Sequence, residues 1–362
     1  MTYSRLWDAN GLTPSGNLVL SEWETAGAHP LTPARINVAS QSLTDRLGVS
    51  GSLTGVSRDQ TVLSLPQPLH TRYGQGSNGG TYGYMWGDGW LILNGLSDLV
   101  LQDFTLAAPN TRYEGHNKER GFNGILVNNC THILLRRLRF INMDTPIFLK
   151  GNSTHITVSD IELENAGRSS WGEWKGHYGV SHGAAHDCLI EDVKLGASVF
   201  YHTVSVQGSR RNVIRRIHGT KLILDHHRDK EGDLSDHNLW TDIDVGTGTA
   251  FAVAGSSTNP LSIGERETYW GVRKGGSLLT SVPTWPKIVV VGADTDSLNT
   301  SGRWTERIPY ADLTPKDLYQ AQVGASLPPP PPPPPDPRVT AKIKLMTLGL
   351  DFAEADVCIN PP

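Results

Sequence analysis

The chain has 362 residues, a formal net charge of −4 and a sequence pI near 6.3. With 32 Lys and Arg against 36 Asp and Glu, it lacks the basic excess that nucleic-acid binding needs. It has no apolar run of about 18 residues that could span a membrane. Net charge does not report on a single groove, so an anionic polysaccharide could still find a local Lys/Arg patch. The 38 glycines and 10 tryptophans suit a turn-rich β protein. Three cysteines, Cys130, Cys188 and Cys358, have no CxxC spacing and exclude a disulfide framework. Cys188 falls on an inward strand position and reads as a small buried hydrophobe. The opening residues lack the apolar core of a secretory signal, so location stays open, with an extracellular or wall site the expectation.

Residues 1–48 show little periodicity and read as an irregular lead-in. The domain itself is expected over 49–325. A glycine-punctuated turn leads into a strand at 61–65, a long Gly/Ser loop follows, and strands at 84–86 and 90–93 precede a repeating region. From 122 to 245 one pattern recurs. It is clearest in Ile133-Leu-Leu-Arg-Arg-Leu-Arg-Phe, Ile156-Thr-Val-Ser-Asp-Ile-Glu-Leu and Cys188-Leu-Ile-Glu-Asp-Val-Lys-Leu, and looser from Asn212 and Asn238. Apolar and polar residues alternate, so each copy is a strand with one buried face. A polar slot precedes the second apolar pair of each copy, at Arg137, Asp160, Asp192, Arg216 and Asp242, with Asp103 extending the series backwards. Successive slots lie 34, 23, 32, 24 and 26 residues apart. Units of that length with a period of two, rather than three and four, are stacked strands, none of which can bury its apolar face alone. A second strand family precedes the first, at 125–127, 147–149, 178–180, 204–206, 222–224 and 251–253. Polar turns such as Asn128-Asn-Cys-Thr-His132 join the two families. The expected fold class is all-β, a right-handed parallel β-helix.

Two units are longer than the rest, at 107–121 and 167–178. Their extra residues must leave the stack as loops, and such loops commonly carry the binding face. Both mix cations with aromatics, which suits a charged sugar polymer. Arg120, Trp171, Trp174, Lys175 and His177 are the candidate binding residues there. After Val245 the repeats decay through strands near 251–253, 267–273 and 287–291. A short helix is expected from Thr314 as N-cap with Pro315 at its first position, closing the open end of the stack. The proline run within 326–337 reads as a stiff linker, and 338–362 as a tail, the start of a truncated module.

The most unusual cluster is Asp225-His226-His227-Arg228. Aligning the strands on Val180, Val206 and Leu224 puts His182 and His226 two residues beyond their references, with Gly208 between them. Those two imidazoles are then expected on one wall, two strands or roughly 10 Å apart. His202 lies at its strand entrance, and Lys150, Ser181, Gln207 and Asp225 take outward positions on the same strands. Cleaving a uronic-acid polymer by β-elimination needs a cation on the sugar carboxylate, a base for the C5 proton and an acid for the leaving oxygen. His226 or His202 would be the base and Arg228 or Lys150 the cation, with His182 a further catalytic candidate and His227 and Gln207 contacting substrate. Hydrolysis would use two carboxylates, for which Asp225, Asp233 and Asp236 are available. His132 and His155 take matching turn positions and read as a structural ladder. The histidine spacings fit no usual zinc pattern, so no metal is assigned, with calcium left open.

The Asn129-Cys-Thr-His-Ile turn, its variant at Asn152-Ser-Thr-His-Ile and the unit spacing resemble the pectate-lyase-like right-handed β-helix superfamily of carbohydrate-active proteins, over roughly residues 50–325. Thr61-Val-Leu-Ser-Leu-Pro-Gln-Pro-Leu, Leu222-Ile-Leu-Asp-His-His-Arg, Thr268-Tyr-Trp-Gly-Val and Asp317-Leu-Tyr-Gln-Ala-Gln carry the more particular similarity. The resemblance implies the fold. It also implies an activity among lyases, hydrolases, epimerases and non-catalytic stalks. The expectation is a polysaccharide lyase, with a glycoside hydrolase or a non-catalytic carbohydrate-binding or wall-associated solenoid as alternatives. The expected partner is an anionic polysaccharide, met by a monomer with no nucleic-acid or membrane role.

Overall fold

The computed structural model describes residues 61–64, 91–115, 121–226, 235–248, 250–254, 267–274, 289–293, 304–306 and 308–321. The expected lead-in, linker and tail, and the strand at 84–86, lie outside these residues, as do Arg120, His227, Arg228 and Asp233.

The described residues are all-β, and their strands are long runs of parallel pairs in two sheets. One sheet, called A, is ten-stranded: β1 (Thr61–Ser64), β3 (Ser97–Ala107), β5 (Thr131–Ile141), β7 (Thr157–Glu164), β9 (Leu189–Gly196), β11 (Val213–Gly219), β13 (Leu239–Asp244), β15 (Thr268–Arg273), β16 (Val289–Val291) and β17 (Trp304–Glu306). The other, B, is seven-stranded: β2 (Leu91–Asn94), β4 (Asn123–Asn128), β6 (Thr145–Lys150), β8 (Gly176–Gly183), β10 (Phe200–Gln207), β12 (Ile223–His226) and β14 (Ala250–Ala254). From β2 to β15 consecutive strands alternate between the sheets, so each repeat supplies one strand to each. Both strand families expected from the sequence are therefore present. Their inner residues meet in one core, with Ile133, Leu135, Val158 and Ile190 from sheet A and Ile125, Val127, Ile147 and Val204 from sheet B.

The polar slots have a conformational cause. Arg137, Asp160, Asp192, Arg216 and Asp242 all have φ between 50° and 55°, in the left-handed region. Each bends a sheet A strand, and the strand pairing skips these residues. Five residues earlier a second left-handed column runs through His132, His155, Asp187, Arg211 and His237. The His132 and His155 rings stack at 4.9 Å, as a ladder should. Inside the stack a third column carries polar atoms. The Cys188 backbone N–H donates to Asn212 Oδ1 at 2.9 Å, the Asn212 N–H to Asn238 Oδ1 at 2.9 Å, and Asn238 Nδ2 to Glu267 Oε1 at 2.6 Å. The first two steps each satisfy a buried backbone donor that an apolar side chain would leave orphaned. Cys188 is fully buried, and burial pushes its thiol up to about 12, as expected of an inert core residue.

The closing segment differs from expectation. Among the described residues, helical ones run over 318–321, and Asp317 Oδ1 accepts the Gln320 N–H at 3.0 Å. Asp317, not Thr314, is thus the cap, and the Thr314–Pro315 peptide is cis. The segment at 308–321 lies across the outer face of sheet A rather than over its end. Leu313, Leu318 and Tyr319 pack on Leu189, Val213, Leu239 and Trp270. Arg215 binds Asp317 at 2.6 Å, and Trp270 Nε1 donates to the Pro315 carbonyl at 2.6 Å.

Candidate functional site

Strand alternation decides which side chains reach the outer surface of sheet B. Val180, Val204 and Leu224 are paired across β8, β10 and β12 and lie in the core, so their successors Ser181, Ser205 and Asp225 point outwards. The next residues turn inwards again. These are His182, Val206 and His226, mutual Cα partners and all fully buried. Val206, not Gly208, lies between the two histidines. Their expected place on the outer wall is therefore corrected by a single step of pleat.

Inside, the two imidazoles meet different fates. His226 Nε2 lies 3.1 Å from Glu267 Oε2 and 3.2 Å from the Tyr269 hydroxyl, while Trp240 Nε1 donates to the same Glu267 oxygen at 3.0 Å. Glu267 is the end of the asparagine column, so His226 closes a buried polar network. Burial, then the nearby Glu267 charge, pushes the Tyr269 phenol well above its usual range. His182 has no hydrogen-bond partner among the described residues. Desolvation, helped by neighbouring His186, holds its imidazole down at about 3.

A different cluster gathers at the entrances of β8 and β10. A Cβ on Gly179 would sit 2.5 Å from the Thr203 carbonyl oxygen and 3.2 Å from the core residue Leu163. With Gly179 and Val180 both facing inwards, alternation breaks, and Tyr178 and His202 before the break fall on the outer side. Their rings stack at 4.9 Å, and His177 stacks on Tyr178 at 4.1 Å. His202 Nδ1 lies 3.1 Å from Asp225 Oδ2, and Ser205 Oγ donates to the same oxygen at 3.1 Å. About 8% of the His202 side chain is accessible and none of Asp225; the His202 ring nitrogens themselves are buried, with Nδ1 beside Asp225. Tyr201, half-buried, meets His202 edge-on at 4.7 Å.

The two long units supply the rim of this cluster. Trp174 packs edge-on against Tyr201 at 5.4 Å, and exposed Trp171 lies 6.4 Å from the same ring. Loop 109–115 joins loop 165–175 through the Tyr113 N–H donating to the Ser169 carbonyl and Asn110 Nδ2 to that of Gly167. Gly115 lets Trp171 approach, since a Cβ there would come within 2.8 Å of the indole. Arg168 ties the base. Its guanidinium holds Asp144 at 2.9 Å, with both side chains 1% exposed, and also donates to the carbonyls of Thr111, Met143 and Lys175. The Lys175 ammonium donates to the Ala166 carbonyl.

Of the residues singled out in the sequence, His202, Asp225, His177, Trp171, Trp174 and Lys175 thus come together. Lys150 and Gln207 do face outwards, yet at the far ends of their strands. Lys150 is five strand positions beyond the His202 level, roughly 16 Å along the sheet, and its ammonium lies over Phe148 at 5.5 Å. Asp236 pairs with Arg210 and His237. Tyr201, Tyr178, Ser205 and the Arg168–Asp144 pair were not anticipated. Glu267 was legible in principle, one alignment step beyond Asn212 and Asn238.

Among the described residues no three His, Cys, Asp or Glu side chains converge as metal ligands, and no helix is long and apolar enough to cross a membrane. A separate groove of about 480 Å³ runs over sheet A beside Arg137, Arg139, Asp160, Glu162, Asp192 and Lys194, whose opposite charges face one another. No family model, curated protein or solved structure matches the chain.

Proposed function

We propose that the chain is an acidic-polysaccharide lyase built as a right-handed parallel β-helix, akin to the pectate-lyase-like superfamily, with its site at the entrance of β10. Alternation of parallel strands between two sheets supports the winding, since parallel crossovers are right-handed in about 98% of cases. The observation that carries the chemistry is His202, oriented by buried Asp225 and framed by Tyr201, Trp171 and Trp174. A carboxylate on one imidazole nitrogen fixes the tautomer and leaves the other nitrogen basic. His202 takes the C5 proton, the electron pair forms the C4–C5 double bond, and the bond from C4 to the leaving oxygen breaks. The Tyr201 hydroxyl returns a proton to that oxygen, and Arg228 is the cation the sequence offers for the reacting carboxylate. Tryptophan faces hold the sugar rings.

Hydrolysis fits these residues less well, because it needs two carboxylates flanking the bond. Asp144 is committed to Arg168 and to the Phe122 N–H, and Asp225 to His202 and Ser205.

The test is incubation of the whole chain with a panel of uronic-acid polysaccharides, following the ultraviolet absorbance of the conjugated product. His202→Asn should lower turnover by about 10²–10⁴, and because its amide can still donate to buried Asp225 the melting temperature should stay nearly unchanged. Reducing ends without absorbance would replace elimination by hydrolysis. Binding without either product would leave a carbohydrate-binding scaffold.

A further inference from the structure

Beyond Tyr201, the turn from Trp171 to Trp174 carries an ion pair that the elimination step does not use. The two tryptophans exchange backbone hydrogen bonds at 3.0 and 3.1 Å across a tight antiparallel turn, with Gly172 at φ 60°. Glu173 at its tip accepts from the Lys221 ammonium with both carboxylate oxygens, each at 2.7 Å. Lys221 also sits 5.3 Å from the centroid of the Trp174 ring. It comes from a different part of the chain, just before β12, where an antiparallel bridge to Gly246 holds its backbone. An ammonium beside an indole face, next to Tyr201 and so to His202, offers what a uronate sugar presents in return: a carboxylate and a C–H ring face.

We propose that Lys221 and Trp174 form a subsite for the carboxylate of a sugar adjoining the reacting one, and that Glu173 occupies it as an internal substitute until the polymer arrives. The proposal rests on reading the site as one for an acidic polysaccharide, but not on the elimination chemistry. Displacement is easy because the pair is exposed, with 49% of the Glu173 side chain and 21% of Lys221 accessible. An ion pair that open is held weakly in water. Lys175, the other cation of the turn, is tied to the Ala166 carbonyl and braces the loop instead.

The experiment is calorimetric titration of the full chain with oligomers of galacturonate, glucuronate and mannuronate, beside neutral oligomers of matched length. At least one acidic oligomer should bind and its neutral counterpart should not. Lys221→Met should weaken acidic binding about tenfold or more, since it removes the carboxylate's partner. Glu173→Gln should tighten it about twofold to fivefold, the worth of an exposed pair. Unchanged or weaker binding by Glu173→Gln, wild-type affinity in Lys221→Met, or no acidic binding at all would each overturn the subsite. Expected affinities without a double-bond signal would sink the elimination step alone. Elimination with affinities indifferent to both substitutions would sink the subsite alone.

Discussion

His182 and His226 show how much one side chain's surroundings decide. Both occupy the same inner column, but among the described residues only His226 has hydrogen-bond partners, so their replacement should have opposite effects. His226→Ala would leave Glu267 buried without its imidazole, and the loss of one member of a buried charged or hydrogen-bonded pair costs about 3–5 kcal/mol. Chemical denaturation should show that loss, with any loss of activity following the unfolding. His182→Leu removes a buried polar group that has no hydrogen-bond partner among the described residues, and should stabilise by about 1–3 kcal/mol in the same measurement. A pH series adds a sign. The folded imidazole titrates at about 3 and the unfolded one near its ordinary 6.5, so the unfolded chain binds the proton first. Stability from this residue is complete above about 6.5 and falls as the solution is acidified towards 3, by about 1.4 kcal/mol per pH unit. The gap between His182→Leu and wild type should widen over that window, and a constant gap would contradict the burial.

At the scale of elements, the strand repeats were readable and the loops between them only partly. Period-two alternation marks a strand's two faces whatever its neighbours do, so Ile133, Leu135, Val158 and Ile190 were recognisable as core. Which face is inner at one end of a strand fails to carry to the other end where the backbone bends. Gly179 and Thr203 mark such a bend, and beyond it His202 moves to the outer side. The meeting of loops 109–115 and 165–175 depends on Arg168 and Asp144, separated by 24 residues and brought together by stacking. Arg168→Ala should strand Asp144 in a buried site and free both loops. Hydrogen exchange should quicken at 109–115 and 169–175, while turnover falls through a higher KM because the tryptophan platform loses its base. The segment at 308–321 makes a similar case on sheet A. Leu318→Asp should place a charge among Leu189, Val213 and Leu239 and lower the denaturation midpoint, with the outer face of sheet A newly available to an apolar dye.

For the whole molecule, the amino-acid order by itself determined the stack. Units of two dozen to three dozen residues with a two-residue period leave each apolar face uncovered until another unit lies on it, which is why parallel strands at one spacing follow from the pattern alone. The polar slots were equally plain, and a left-handed column explains why they recur at one place in every unit. Tertiary structure alone decided which side chains meet. A shift of one residue along a strand exchanges inside for outside, so His226 became the partner of a buried glutamate while His202, less conspicuous in the chain, met Tyr201, the ring on which the tryptophans pack. Tyr201, Glu173 and Lys221 stand in no motif together. Only folding, by setting loops from separate units side by side, puts a ring, a carboxylate and an ammonium within reach of one another.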